Sequence, residues 1–136
     1  GKTTDDLRLI GFEPVVGTEP RVLILGSMPS EASLAAGCYY AHPRNRFWRV
    51  VGECFGFDPT LPYKERLDAL EASGAALWDT IESCERTGSL DSAILRPQVN
   101  DFSAFFAQDN QVREGTASVV QHEELFQGNF AVVYRG

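Results

Sequence analysis

The chain has 136 residues, 43% of them hydrophobic and 23% charged, with a formal net charge of −7. That is enough for one domain, 1–136, with an ordinary buried core. No window approaches the ~20 apolar residues of a membrane span, and residues 1–6 lack the apolar stretch of a signal peptide, so no membrane association and a cytoplasmic location are expected. The acidic total has the wrong sign for binding nucleic acid through bulk electrostatics. The three cysteines, Cys38, Cys54 and Cys84, are separated and show no C-x-x-C spacing, so reduced thiols are expected and no metal, metal cluster or other cofactor.

In chain order, the apolar run 21–25 ends in Gly26 and predicts a buried strand opening into a tight loop. Loops at the C-terminal ends of parallel strands are where α/β folds place ligands. After Asn45, the residues Phe47, Val50, Val51, Cys54 and Phe55 recur at helical spacing and Gly56 follows, which predicts an amphipathic helix with Asn45 at or just before its N-terminus. Residues 63–73 carry Leu67 and Leu70 on one face, with Gly74 as the capping glycine. A second buried strand is predicted over 75–78, followed by a long irregular connection over 79–94. Asn100 is read as the N-cap of a short helix through Phe106, and 116–120 and 130–134 are further strand candidates. Strands alternating with helices predict an α/β fold, a three-layer α/β/α sandwich around a mostly parallel central sheet, with the C-terminal edge of that sheet expected to be incomplete.

The densest chemistry lies in Tyr39-Tyr40-Ala41-His42-Pro43-Arg44-Asn45-Arg46-Phe47-Trp48. Rings offer stacking faces, arginines offer phosphate contacts, and the Asn45 carboxamide supplies both a donor and an acceptor. Around it the charge reverses: Arg44, Arg46 and Arg49 stand together with no acid between residues 39 and 50, which suits a small phosphate footprint or a solvated helix face. Tyr39, Tyr40 and Phe47 are candidate base-gripping rings, while for Trp48 both a pocket role and a core role stand. In the preceding loop, Gly26 allows close backbone approach, Ser27 offers a hydroxyl and Pro29 fixes the turn. Ser27 with His42 would form a nucleophile and base only with a third partner and a G-x-S-x-G elbow, and neither is evident.

This segment, preceded by Leu25-Gly26-Ser27-Met28-Pro29-Ser30 and followed by Leu77-Trp78-Asp79, Ser83-Cys84 and Gly88-Ser89-Leu90-Asp91, resembles the uracil-DNA glycosylase superfamily. The likeness is strongest to its hypoxanthine-DNA glycosylase branch, near the mismatch-specific uracil and thymine glycosylases, and covers about 22–106. The resemblance implies a monofunctional, metal-free glycosylase acting as a monomer on DNA that contains a deaminated base, hypoxanthine or uracil, in base excision repair. It also implies site roles. Gly26, Ser27, Met28, Pro29, Tyr39, Tyr40 and Phe47 would surround the base. Asn45 would position the attacking water, and His42 would act beside it as base or phosphate contact. Arg44, Arg46 and Arg49 would hold DNA phosphates. Met28 occupies the place where the mismatch-type enzymes carry a water-positioning Asn or Asp, and a thioether cannot orient water.

After Arg113 the likeness fades. Ser118 falls where an Asn is expected, and Pro97 is the last proline, so the late Pro-Ser-rich loop that the resemblance implies, entering the minor groove, is not met in these 136 residues; truncation, a shifted reading frame and divergence each account for that. A non-catalytic nucleotide- or nucleic-acid-binding α/β module that lost this loop is the alternative from a different class.

Overall fold

Five residues that alternate between two cores organise the molecule. Within β2 (Val22–Gly26), Val22 and Ile24 face one apolar cluster, and Leu23 and Leu25 face another. Its neighbour β3 (Ala75–Asp79) is buried along its whole length and divides in the same way: Ala75 and Leu77 to the first cluster, Ala76 and Trp78 to the second. A strand buried on both faces reads as a continuous apolar run, which is why these two were legible from sequence. The computed structural model describes residues 8–107, 117–118 and 131–134. The segments around His122 and Glu123 lie outside them.

The strands β2 and β3 run parallel in register Val22↔Ala75 through Gly26↔Asp79. On the other side of β2 lies β7 (Ala131–Tyr134), antiparallel, and β6 (Ala117–Ser118) pairs antiparallel with β7, giving the order β3-β2-β7-β6. The α/β class and its layering hold, with helices on both faces of this sheet, but the expected mostly parallel sheet does not. Of its three pairings only β2–β3 is parallel. Strand direction leaves no mark on apolar periodicity and is decided by how distant segments close on one another.

On the first face sit α2 (Phe47–Phe55) and α3 (Tyr63–Ala72), which contribute Phe47, Trp48, Val51 and Leu70 to the core. Gly56, at φ 80°, ends α2 by bonding its N–H to the Gly52 carbonyl, a left-handed turn that favours glycine. The stripe of α2 is rotated from the expected one, since Cys54 is exposed and Trp48 is buried. Trp48 is therefore a core residue, with its indole N–H on the Tyr39 carbonyl at 3.0 Å. A short helix, α1 (Glu31–Ala36), is capped by the Ser30 hydroxyl, which accepts from the Ser33 N–H. The second face is covered by α4 (Phe102–Ala107), through Phe102 and Phe105. Its cap is Asp101, which accepts from the Ala104 N–H at 3.1 Å. The predicted cap, Asn100, instead donates its side-chain amide to the Asp79 carbonyl at 2.7 Å.

The connection predicted as irregular over 79–94 contains β4 (Ile81–Glu85), the centre of a second, antiparallel sheet ordered β1-β4-β5 with β1 (Leu9–Ile10) and β5 (Leu95–Val99). A 3₁₀ turn follows at Asp91–Ala93. Every residue of β5 is exposed, so no alternation betrayed it. Backbone pairing holds it, with the Arg8 guanidinium bridging the Ser83 hydroxyl and the Arg96 carbonyl.

Candidate functional site

At the C-terminal ends of β2 and β3 the chain departs in two loops that lock together. The Gly26 carbonyl accepts from the Thr80 N–H and hydroxyl, the Ser27 carbonyl from the Ile81 N–H, and the Pro29 carbonyl from the Arg86 guanidinium at 2.6 Å. These bonds tie the carbonyls of Gly26, Ser27 and Pro29 to the segment that follows β3. Segment 88–91 is pinned above α1: Ser89 Oγ accepts from the Glu31 N–H, the Gly88 N–H donates to Glu31, and Ser27 Oγ donates to Asp91 Oδ1 at 2.7 Å.

Between these loops and residues 39–45 lies a cavity of about 470 Å³, inside the ~300–1,000 Å³ range of small-molecule sites. It gathers Gly26, Ser27, Met28, Pro29, Tyr39, Tyr40, His42 and Asn45. Asp79, Ser89 and Asp91 complete the wall. The predicted site residues that do not reach it are Phe47, Arg44, Arg46 and Arg49. Phe47 is fully buried and corrects the expectation of a ring gripping a base directly: it backs Tyr40, the two rings lying parallel with centroids 3.7 Å apart. The ring of Tyr39 is also committed to the core, packed edge-on against Phe12 with its hydroxyl on the Glu13 carbonyl at 2.8 Å. Tyr40 holds φ 53°, a left-handed backbone that costs an aromatic residue roughly 1–3 kcal/mol. Such strain gathers at functional sites and here turns the phenol toward Gly26.

Asn45 closes a turn by donating its backbone N–H to the His42 carbonyl, and its Oδ1 accepts from the Phe47 N–H at 2.8 Å. It thus caps α2 and also lines the cavity. His42 Nδ1 accepts from the Arg44 N–H at 3.1 Å, which assigns the proton of the neutral ring to Nε2. Ser27 bonds Asp91 and not His42, so no serine nucleophile is assembled. Arg44, Arg46 and Arg49 are exposed on the outer side of this segment and form no ion pair among the described residues. Arg49 borders a shallow groove that continues to Arg66, whose guanidinium lies over the Trp48 ring.

Asp79 and Asp91 were not among the predicted site residues. The carboxyl of Asp79 is 4% exposed, and burial first, then the charge of Asp91, raise it to about 7. Burial, then the nearby Asp79 and Asp91 charges, push the Tyr40 phenol far up as well. A carboxylate ending a wholly buried apolar strand was the available signal for Asp79. For Asp91, an exposed residue far along the chain, the signal was its place in the resembling segment Gly88-Ser89-Leu90-Asp91. Among the described residues no His, Cys, Asp and Glu side chains group so as to hold a metal ion, and no helix is long and apolar enough to cross a membrane.

The profile of the uracil DNA glycosylase superfamily matches residues 14–120 of the chain. Two curated relatives, each a hypoxanthine DNA glycosylase, one from Methanosarcina barkeri and one from Methanosarcina acetivorans, are 39% identical over 94 residues, covering 68% of this chain and 60% of the relative. The chain thus spans less than two thirds of the length of these relatives. A solution structure from Methanosarcina acetivorans, described as that of a candidate uracil DNA glycosylase, superposes with a TM-score of 0.65 at 37% identity, over 72% of this chain and 62% of the other.

Proposed function

Because the chain belongs to the uracil DNA glycosylase superfamily, we propose that it is a monofunctional DNA glycosylase. It hydrolyses the N-glycosidic bond of a deaminated base, hypoxanthine foremost and uracil as a second substrate, and leaves an abasic site. The observation that carries this reading is the convergence of Tyr40, His42, Asn45 and Asp79 on one cavity at the strand ends. A monomer in the cytoplasm, acting on DNA for base excision repair, is the setting that fits it.

In this proposal, the flipped base enters the cavity beside the Tyr40 ring, which Phe47 supports from behind. Extrusion costs a few kcal/mol, and one stacked base recovers ~1–3 kcal/mol. As the bond to the base lengthens, the sugar takes on oxocarbenium character, and the fixed Asn45 carboxamide oxygen orients water toward it. Its geometry is preset by the Phe47 N–H, so little reorganisation is needed at the moment of reaction. The His42 Nε2–H can donate to the departing base or to a flanking phosphate. Incubation with deoxyinosine and deoxyuridine duplexes, followed by alkaline cleavage, tests the reading. Strand scission at the modified base is expected, and binding without scission would instead favour the non-catalytic module.

The three arginines give a second, independent check. If Arg44, Arg46 and Arg49 are the phosphate footprint, about three counterions are released and log affinity falls with log salt at a slope of roughly −2 to −3. Each Arg→Ala change should flatten the slope by about one and weaken damaged and undamaged duplexes alike. Unaltered slopes would make the cluster an ordinary solvated helix face.

A further inference from the structure

A groove on the surface reverses the charge of the molecule. The chain carries 19 acidic against 12 basic residues, and acids line its hollows elsewhere. Asp79 and Asp91 stand in the cavity described above, Glu13, Glu82 and Asp101 in a hollow beside α4, and Glu19 and Glu71 in a third. The groove bordered by α2, α3 and residues 38–45, about 410 Å³ in volume, has no carboxylate in its wall but two guanidinium groups, Arg49 from α2 and Arg66 from α3. Asp58, just before this wall in sequence, is not part of it; the Thr60 N–H and hydroxyl hold its carboxylate at 2.8 and 2.7 Å.

Arg66 is already oriented. Its guanidinium lies 4.8 Å from the centre of the Trp48 ring and 5.5 Å from that of Tyr63, and its Nε donates to the Leu61 carbonyl at 2.9 Å. Rings and carbonyl fix the side chain, and its two terminal nitrogens have no partner among the described residues. A guanidinium held in this way loses little freedom on binding and offers a flat pair of donors, which matches two oxygens of a phosphate. Arg49 is exposed, its side chain without a hydrogen bond or ion pair among the described residues, and supplies a second positive charge to the same groove.

Position says which anion this is. Tyr39, Tyr40, His42 and Asn45 line both the cavity and the groove, whereas Asp91 lines the cavity alone. A strand whose nucleotide occupies the cavity can therefore continue along the groove without passing Asp91, whose charge repels phosphate. Resting on the glycosylase reading above, we propose that the groove is a track for the strand carrying the modified base, with Arg49 and Arg66 holding its phosphodiesters on one side of the flipped nucleotide. Such contacts orient the strand and carry no base information. Arg66 lies outside the cluster of Arg44, Arg46 and Arg49, and its contact adds about one to the salt slope.

The test is fluorescence anisotropy of the full chain with deoxyinosine duplexes built on one full-length complement. The deoxyinosine strand either stops one nucleotide from the modified base, on its 5′ or its 3′ side, or continues about four nucleotides further. Continuing on one side should tighten binding about tenfold, the effect of a charge-assisted contact, and continuing on the other should change it by less than about threefold. Arg66→Ala and Arg49→Ala should each cut the larger gain to about threefold or less and leave the other side unaltered. Should Arg66→Ala fail to fold, Arg66→Gln takes its place, since it keeps a stem across the rings and a side-chain donor while removing the charge. Inorganic phosphate at about 10 mM, compared with chloride at equal ionic strength, separates a strand track from a site for a free anion. The one-sided gain should survive both salts, and its loss in phosphate alone overturns the track. A gain that persists in either folded variant overturns the proposal, as does a wild type that gains nothing or gains equally on the two sides. Alkaline cleavage of the same duplexes is run in parallel. A one-sided, arginine-dependent gain without strand scission would sink the glycosylase reading alone, and scission with a gain indifferent to both arginines would sink only this one.

Discussion

Asn45→Ala should lower the single-turnover rate on a deoxyinosine duplex by about 10²–10³-fold, the usual loss for one preorganised polar group aimed at the reacting centre. On the proposed glycosylase reading binding should change little, because there the carboxamide acts on the water and not on the stacked base. The structure sharpens how this must be measured. Since Asn45 Oδ1 also holds the Phe47 N–H, alanine removes a helix cap worth about 1 kcal/mol, and Phe47 is the ring on which Tyr40 rests. Thermal unfolding is followed in parallel, so that a lost cap is not mistaken for lost chemistry. A folded Asn45→Ala protein with near-normal rates would remove this residue from the mechanism.

Replacing Asp79 by asparagine should stabilise the fold at alkaline pH and leave it nearly unchanged in acid. The native carboxyl titrates at about 7 and the unfolded one at 3.8. Between those values the folded chain holds a proton that the unfolded chain has released, so stability falls as pH rises through this window. The separation corresponds to roughly 4 kcal/mol once the pH is above 7, an upper figure for a carboxyl this deeply buried. Other carboxylates work in the opposite direction, as at Asp58, which hydrogen bonds from Thr60 hold below the ordinary carboxylate range. The difference between variant and wild type in urea unfolding, measured at about pH 4 and about pH 8, isolates the Asp79 contribution. A difference that does not grow with pH would mean that Asp79 stays ionised in the folded protein. The presence of so costly a group at the cavity, where a smaller apolar residue would fold better, is what a functional carboxyl looks like.

Sequence by itself determined the parts whose signals are local. The apolar run before Gly26, the helical stripe that Gly56 ends, and the helix ahead of Gly74 each repeat with the period of the element they form, and all three are present. Residues 26–29 and 39–45 were legible as candidate site segments because rings, small residues and a carboxamide were concentrated there beyond what a core requires, and Gly26 to Pro29 meet Tyr39, Tyr40, His42 and Asn45 in one cavity. Only the tertiary structure decided which of these side chains face inward. Tyr40 turns toward the cavity through a left-handed backbone that no periodicity announces, while the adjacent Tyr39 and the nearby Phe47 sink into the core. Asp79 joins from the end of β3 and Asp91 from a 3₁₀ turn far along the chain, the antiparallel β4–β5 pair forms without an apolar pattern, and β7 enters the central sheet against the expected direction. These outcomes share a physical cause: they depend on which distant segments come together and in what orientation, whereas apolar spacing reports only whether a residue is buried within its own element.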